Sequence, residues 1–135
     1  MQFVDTNVLL YAVSTDPAER VKAERANAIL RGRRLGLSVQ VLQEFYVQAT
    51  RPTRADRLSA RQAGDLVTSF TRFAVQDTTV GLVQAAIAAQ DRFGLSYWDA
   101  AILEAGRMLG CSEVLSEDLS HSQDYDGIVV VNPFA

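Results

Sequence analysis

The sequence predicts an α/β protein: a three-layer α/β/α sandwich built on a central parallel sheet of four or five short strands. Short apolar runs alternate along the chain with longer stretches of helical period. The runs are apolar without alternation, the pattern of strands covered on both faces. No repeat, low-complexity tract or long linker breaks that order, and 135 residues suit one compact domain spanning 1–135.

In order, Gln2-Phe3-Val4 reads as a short buried strand running into Asp5, and Thr6 to Val13 as a helix. Pro17 suits the first turn of a second helix that reaches about Arg33, where Gly32 and Gly36 interrupt it. Leu35 to Leu37 is a second strand. Ser38 caps a helix whose apolar positions Val41, Leu42, Phe45 and Ala49 keep a 3.6 period, ending before Pro52. Ser59 caps the next, with Ala63, Leu66, Val67, Phe70 and Phe73 inward, and Ala74 to Gln76 follows as a third strand. Val80, Val83 and Ile87 mark a helix stopped by Gly94. Ser96 begins another, with Ala101, Ile102, Ala105 and Leu109 inward and Gly110 at its end. Glu113 to Leu115 is a fourth strand, and the β-branched run Ile128 to Val131 the clearest of all.

Composition narrows the classes. Apolar residues make up 48%, so a core forms without disulfides or metal staples. The single cysteine, Cys111, allows no intramolecular disulfide, suits a reducing cytoplasm, and reads as a buried structural thiol. The opening MQFVDTNVLL lacks a basic n-region, so no signal peptide is expected, and no apolar run suggests a membrane span. Net charge is only −3, but residues 20 to 61 hold ten Lys/Arg against three Asp/Glu, and residues 62 to 135 the reverse, three against ten. The basic stretch offers a surface to an anionic partner, although solvated helix faces are the blander reading. Twelve of the thirteen cations are arginine, which suits bidentate phosphate contacts.

Open parallel sheets bind ligands at the carboxyl ends of their strands. Asp5 directly follows the first strand, and Asp118 follows the fourth by three residues. Glu44 lies two turns into its helix beside Leu42 and Phe45, and Asp99 in the first turn of its own, within Tyr97-Trp98-Asp99-Ala100-Ala101. Each has a structural role available. Asp5 caps a helix; Asp99 completes the capping-box spacing Ser96-x-x-Asp99; Glu44 is a helix-surface residue; Asp118 is turn chemistry. Acids set among core residues are costly unless compensated, and several at one sheet edge suggest a hard cation with oxygen ligands.

Four segments resemble the acidic motifs of the PIN-domain nucleases. Phe3-Val4-Asp5-Thr6-Asn7-Val8-Leu9-Leu10-Tyr11 is similar to their opening motif. Leu37-Ser38-Val39-Gln40-Val41-Leu42-Gln43-Glu44-Phe45 resembles the second, and Leu95-Ser96-Tyr97-Trp98-Asp99-Ala100-Ala101-Ile102 the third. Leu115-Ser116-Glu117-Asp118-Leu119, with Gly127-Ile128 and Val131-Asn132-Pro133-Phe134, resembles the fourth and the last strand. The ending is similar to VapC toxins of bacterial toxin–antitoxin pairs. Where relatives often have Gly-Gln after the fourth acid, this chain has Ser122-Gln123, and Asp124 and Asp126 crowd the region as rivals or helpers of Asp118.

The resemblance implies a PIN-like domain that hydrolyses RNA with Mg²⁺ or Mn²⁺ and leaves a 3′-hydroxyl. Asp5 and Asp99 are expected to bind metal directly or through water. Glu44 and Asp118 complete the site, one of them serving as general base. Thr6, Asn7 and Ser116 are expected to orient the carboxylates. Four carboxylates within about 5 Å would cost roughly 3 kcal/mol per pair at an effective dielectric near 20, which a divalent ion removes. Arg51, Arg54, Arg57 and Arg61, or Arg31, Arg33 and Arg34, are candidates to hold RNA phosphates. The resemblance also implies a cytoplasmic homodimer held inactive by an antitoxin.

Two alternatives stand beside the toxin: a PIN ribonuclease in RNA maturation, and a catalytically silent PIN-like scaffold binding RNA or protein. A receiver-like or phosphatase-like pocket is disfavoured because Asn7 stands where an aspartyl-phosphate enzyme usually wants a paired acid. His121 lies in a polar loop and reads as a surface residue. No nucleophile elbow or phosphate-binding loop is present.

Overall fold

Strand β1 (Gln2–Val4) is three residues long, yet Phe3 and Val4 are both essentially inaccessible to solvent. Successive strand residues point to opposite faces, so this strand is covered on both sides. The computed structural model, which describes residues 1–135, shows how. Strands β2 (Leu35–Ser38), β3 (Ala74–Gln76), β4 (Glu113–Leu115) and β5 (Val129–Val131) join β1 in one parallel sheet, in the order β3-β2-β1-β4-β5. Phe3 pairs with Gly36 on one side and Val114 on the other, and Val4 with Leu115.

The chain steps from β1 outward through β2 to β3, then crosses back to β4 and β5. Its direction therefore reverses between β1 and β4, and the loops leaving their carboxyl ends diverge around a crevice. Right-handed crossovers place helices α1 (Thr6–Ala12), α2 (Arg20–Leu30), α3 (Val39–Ala49) and α4 (Ala60–Phe70) on one face. The return crossover puts α5 (Val80–Phe93) and α6 (Tyr97–Met108) on the other. Packing agrees: α1 lies on α2 and α3, α3 on α4, and α5 on α6.

The main core joins strand residues Phe3, Val4, Leu37, Val114 and Val130 to Val8, Leu9, Val41, Phe45 and Leu103 from the helices. Phe45 meets Phe70 edge to face, with ring centroids 5.2 Å apart. The α5–α6 contact is instead lined by alanines (Ala86, Ala89, Ala100 and Ala101), whose small side chains let the helix axes approach. Gly106 does the same between α6 and the sheet. A Cβ there would lie 3.4 Å from both Phe3 Cβ and Val114 Cγ2.

Helix starts follow the sequence closely. Asp5, Ser38, Ser59, Thr79 and Ser96 each accept a hydrogen bond from the first turn they cap, and Ser59 with Gln62 forms a full capping box. Gly94 closes α5 at φ +67°, a conformation that favours glycine. Two boundaries differ from expectation. The helix expected from Pro17 to about Arg33 is a 3₁₀ turn (Pro17–Glu19) followed by α2, which ends at Leu30. The Gly32 amide bonds back to the Ile29 carbonyl at 2.9 Å, turning the chain so that it enters β2 at Leu35. Ile128 is buried but precedes the ladder, because its carbonyl accepts from Tyr125 N at 2.8 Å. No helix is long and apolar enough to cross a membrane. Cys111 is buried, as its apolar setting implied.

The close approach at Gly106 makes a paired prediction. Gly106→Val drives methyls into Phe3 and Val114 and lowers stability by about 1–3 kcal/mol in urea unfolding. Gly64→Ala, in α4 with nothing within 4 Å of the new Cβ, raises it by roughly 0.5–1 kcal/mol. An unchanged midpoint for Gly106→Val would show that α6 is not seated on the sheet there.

Candidate active site

Asp5 sits where β1 ends and α1 begins, beside the point where the sheet changes direction. Its amide donates to the Leu115 carbonyl at 3.0 Å, continuing the β1–β4 ladder by one bond. One carboxylate oxygen, Oδ1, accepts from Thr6 N at 2.7 Å and caps α1. The other, Oδ2, accepts from Ser116 Oγ at 2.7 Å, just beyond β4. The helix-cap role is therefore real and uses only one of the two oxygens. Asp5 is only 6% exposed. Burial pushes its carboxyl up to about 6, against the lowering effect of the Ser116 and Thr6 hydrogen bonds and with the help of the Asp118 and Glu44 charges.

Glu44 is placed by the period of α3. Val41, Phe45 and Ala49 face the core at intervals of four, and Gln40, Glu44 and Gln48 form a parallel polar row facing the crevice. Thr6 Oγ1 donates to Glu44 Oε2 at 2.6 Å, and Gln40 Nε2 to Oε1 at 3.0 Å. Asp99 lies in the first turn of α6, where its amide donates to Ser96 Oγ at 3.1 Å. The expected capping box is only half made, because the Asp99 carboxylate forms no bond to the Ser96 backbone and lines the crevice instead. Burial raises its carboxyl above the ordinary range, with Asp118 and Glu44 adding to the rise. Asp118 is exposed. Asn7 Nδ2 donates to its Oδ2 at 3.1 Å, and its amide donates to Ser116 Oγ at 3.1 Å.

The four acids thus line one cleft of about 290 Å³ with Thr6, Asn7, Gln40, Gln48 and Trp98. Asp5, Glu44 and Asp118 are met by neutral donors alone. The ion pairs of the fold lie elsewhere, and none includes Asp5, Glu44, Asp99 or Asp118. Oxygen donors without a histidine or cysteine, and negative charge without a cationic side chain, fit a hard divalent cation. As they stand, no three acids close on one point as a ready cage.

Other candidate residues fall outside the cleft. Asp124 accepts from Gly127 N at 2.8 Å as turn chemistry, and Asp126 pairs with Arg92 at 2.8 Å. Neither competes with Asp118 in the cleft lining. His121 Nδ1 accepts from Asn132 N at 2.9 Å, a loop-fixing role. Of the four arginines after α3, only Arg54 reaches the crevice. It lines an adjoining hollow that shares Asn7, Leu10, Gln48 and Asp118 with the cleft. It is held there by Asp56 at 3.0 Å and by the Leu10 carbonyl at 3.4 Å, while Arg51, Arg57 and Arg61 are exposed. A larger hollow, about 640 Å³, lies between Ser14 and Arg31, away from the acids. Size alone does not select the site.

Gln40, Gln48 and Trp98 were not singled out from the sequence. The four-residue spacing of Gln40, Glu44 and Gln48 carried the signal, because it puts all three on one helix face. Tyr11, Lys22 and Glu117 were also missed. Tyr11 Oη donates to Glu117 Oε1 at 2.5 Å and Lys22 Nζ to Oε2 at 2.6 Å, anchoring the residue next to Asp118. Nothing local in the sequence pairs these three.

A family model described as PIN domain matches residues 3–123. Among solved structures, a toxin–antitoxin complex from Klebsiella pneumoniae superposes with a TM-score of 0.72 at 19% identity, covering 99% of this chain and 98% of that one. VapC20 from Mycobacterium tuberculosis, described as a toxin cleaving the sarcin-ricin loop, superposes at 0.67 with 20% identity over 87% and 90%. DNA-bound VapBC from Salmonella typhimurium gives 0.63 and 21% over 96% and 95%. No curated protein sequence matches significantly.

Burial of Asp5 has a consequence for stability. Below pH 3.8 the carboxyl is protonated in both folded and unfolded chains. Between 3.8 and about 6 the unfolded chain ionises while the folded one keeps its proton, so stability falls as pH rises. The full loss, on the order of 3 kcal/mol, is reached above about 6. Asp5→Asn should therefore unfold later than wild type at pH 7.5 in EDTA, with the gap closing toward pH 4. Equal midpoints across that range would contradict the buried charge.

Proposed function

The chain belongs to the PIN-domain family, and on that footing we propose that it is a Mg²⁺- or Mn²⁺-dependent ribonuclease, the toxin of a toxin–antitoxin pair. The observation that carries the proposal is the single cleft shared by Asp5, Glu44, Asp99 and Asp118, whose charges no basic side chain offsets. The toxin reading is supported by the neighbours of the fold, which include toxin–antitoxin complexes and a toxin that cleaves the sarcin-ricin loop.

Asp5 and Asp99 are the residues proposed to hold the ion, with Glu44 and Asp118 completing the site. A bound divalent cation supplies charge neutralisation at the phosphate and activation of the attacking water. The protein's own part is orientation. The Thr6 amide and Ser116 hydroxyl fix both oxygens of Asp5, the Thr6 hydroxyl and Gln40 fix Glu44, and Asn7 fixes Asp118. One of Glu44 and Asp118 takes the proton of the attacking water, and cleavage leaves a 3′-hydroxyl. Arg54, at the end of the adjoining hollow, is placed to grip a neighbouring phosphate. A homodimer and an antitoxin complete the proposal. The partner is supported by the apolar hollow between α3 and α4, where Leu42 and Val67 lie beside exposed Tyr46 and Val47.

Three measurements test this. Asp5→Asn and Asp99→Asn should each lower Mn²⁺-dependent RNA cleavage by at least about 100-fold while remaining folded; a folded variant that cleaves undiminished removes that residue from the site. RNA ends mapped after induction of wild type against Asp99→Asn should show new ends for wild type alone. Cleavage should also weaken steeply with salt, and Arg54→Gln should flatten that dependence. A rate indifferent to ionic strength would exclude the arginine contact.

A further inference from the structure

We propose that Trp98 is a stacking platform for an unpaired RNA base next to the bond that is cut. This rests on the ribonuclease reading and adds what the cleft recognises. Trp98 is the chain's single tryptophan, and 63% of it is exposed. A large apolar ring left in water is costly unless something covers it. It immediately precedes Asp99 and lines the same cleft as the four acids.

Its position is set from two sides. Its carbonyl accepts from Gln40 Nε2 at 3.3 Å, which ties the start of α6 to α3 across the cleft. Its ring meets Tyr97 edge to face, with centroids 5.0 Å apart and planes at 84°. An aromatic held this way and open to solvent offers a flat surface to a base, and every base has a face to stack. A duplex keeps its bases stacked on one another and cannot offer one. Asp118 lines both this cleft and the adjoining hollow that holds Arg54. A strand running from the cleft into that hollow would thus meet both a base platform and a cation.

The single tryptophan makes the test direct, because its fluorescence reports this position alone. The full-length protein, with Ca²⁺ in place of Mg²⁺ to restrain turnover, is titrated with an eight-nucleotide unpaired RNA. The same sequence as a duplex and an abasic ribose-phosphate chain of equal length serve as comparisons. Stacking quenches emission with the unpaired RNA and much less with the other two. Trp98→Ala weakens binding of the unpaired RNA about tenfold, read by anisotropy of a labelled strand, and Trp98→Phe restores most of it. Equal quenching by the abasic chain, or unchanged affinity of Trp98→Ala, overturns the proposal. So does emission that shifts on protein dilution and ignores RNA, which would assign the ring to a contact between copies. Quenching without cleavage of any RNA would keep the platform and remove the nuclease; cleavage without quenching would do the reverse.

Discussion

The buried carboxylate of Asp5 is the constraint around which the rest of the site is arranged. It stands where the sheet changes direction, with one oxygen capping α1 and the other bonded to Ser116 beyond β4. Both hydrogen bonds favour the charged form, yet burial outweighs them and holds the carboxyl near 6. A fold that places an acid there gives up stability at neutral pH and must recover it elsewhere. Phe3 and Val4, adjacent in sequence and both fully buried, show where, as do Leu37, Val114 and Val130 in the neighbouring strands.

Rigid elements carry three of the four acids. Asp5 is pinned by a strand ladder and a helix start, Glu44 by the middle of α3, and Asp99 by the first turn of α6. Asp118 is on a loop and exposed, so its support comes from side chains. Asn7 and Ser116 hold it directly, and the Tyr11–Lys22–Glu117 cluster anchors the residue before it. The neutral donors around the cleft hold Asp5, Glu44 and Asp118 without cancelling their charge. A cation is the natural complement to such a lining, because it gains from every acid that neutral donors leave negative.

Much of this was legible in the chain. Strand and helix order followed from apolar runs and caps, and the five strands lie where those runs predicted, within a residue or so. Asp5, Glu44, Asp99 and Asp118 stood out because they recur at strand ends or beside core residues within four ordered motifs. Where the sequence left choices open, the fold separates the residues. Asp124 and Asp126 were near Asp118 in sequence but turn away, one into a local turn and the other to Arg92. The four arginines looked equivalent, yet only Arg54 is drawn to the crevice by Asp56 and the Leu10 carbonyl.

The sequence alone determined what local chemistry can decide: where helices begin, which runs are buried on both faces, and which acids stand at element boundaries. Caps, periodicity and strand length act over a few residues, so they are written in consecutive letters. Tertiary structure decided which acids share a cleft and which polar groups hold them. Ser116 meets Asp5 across 111 residues and Thr6 meets Glu44 across 38. Those distances close only when parallel crossovers bring β1 and β4 side by side and set α3 and α6 at the same edge of the sheet, on opposite faces.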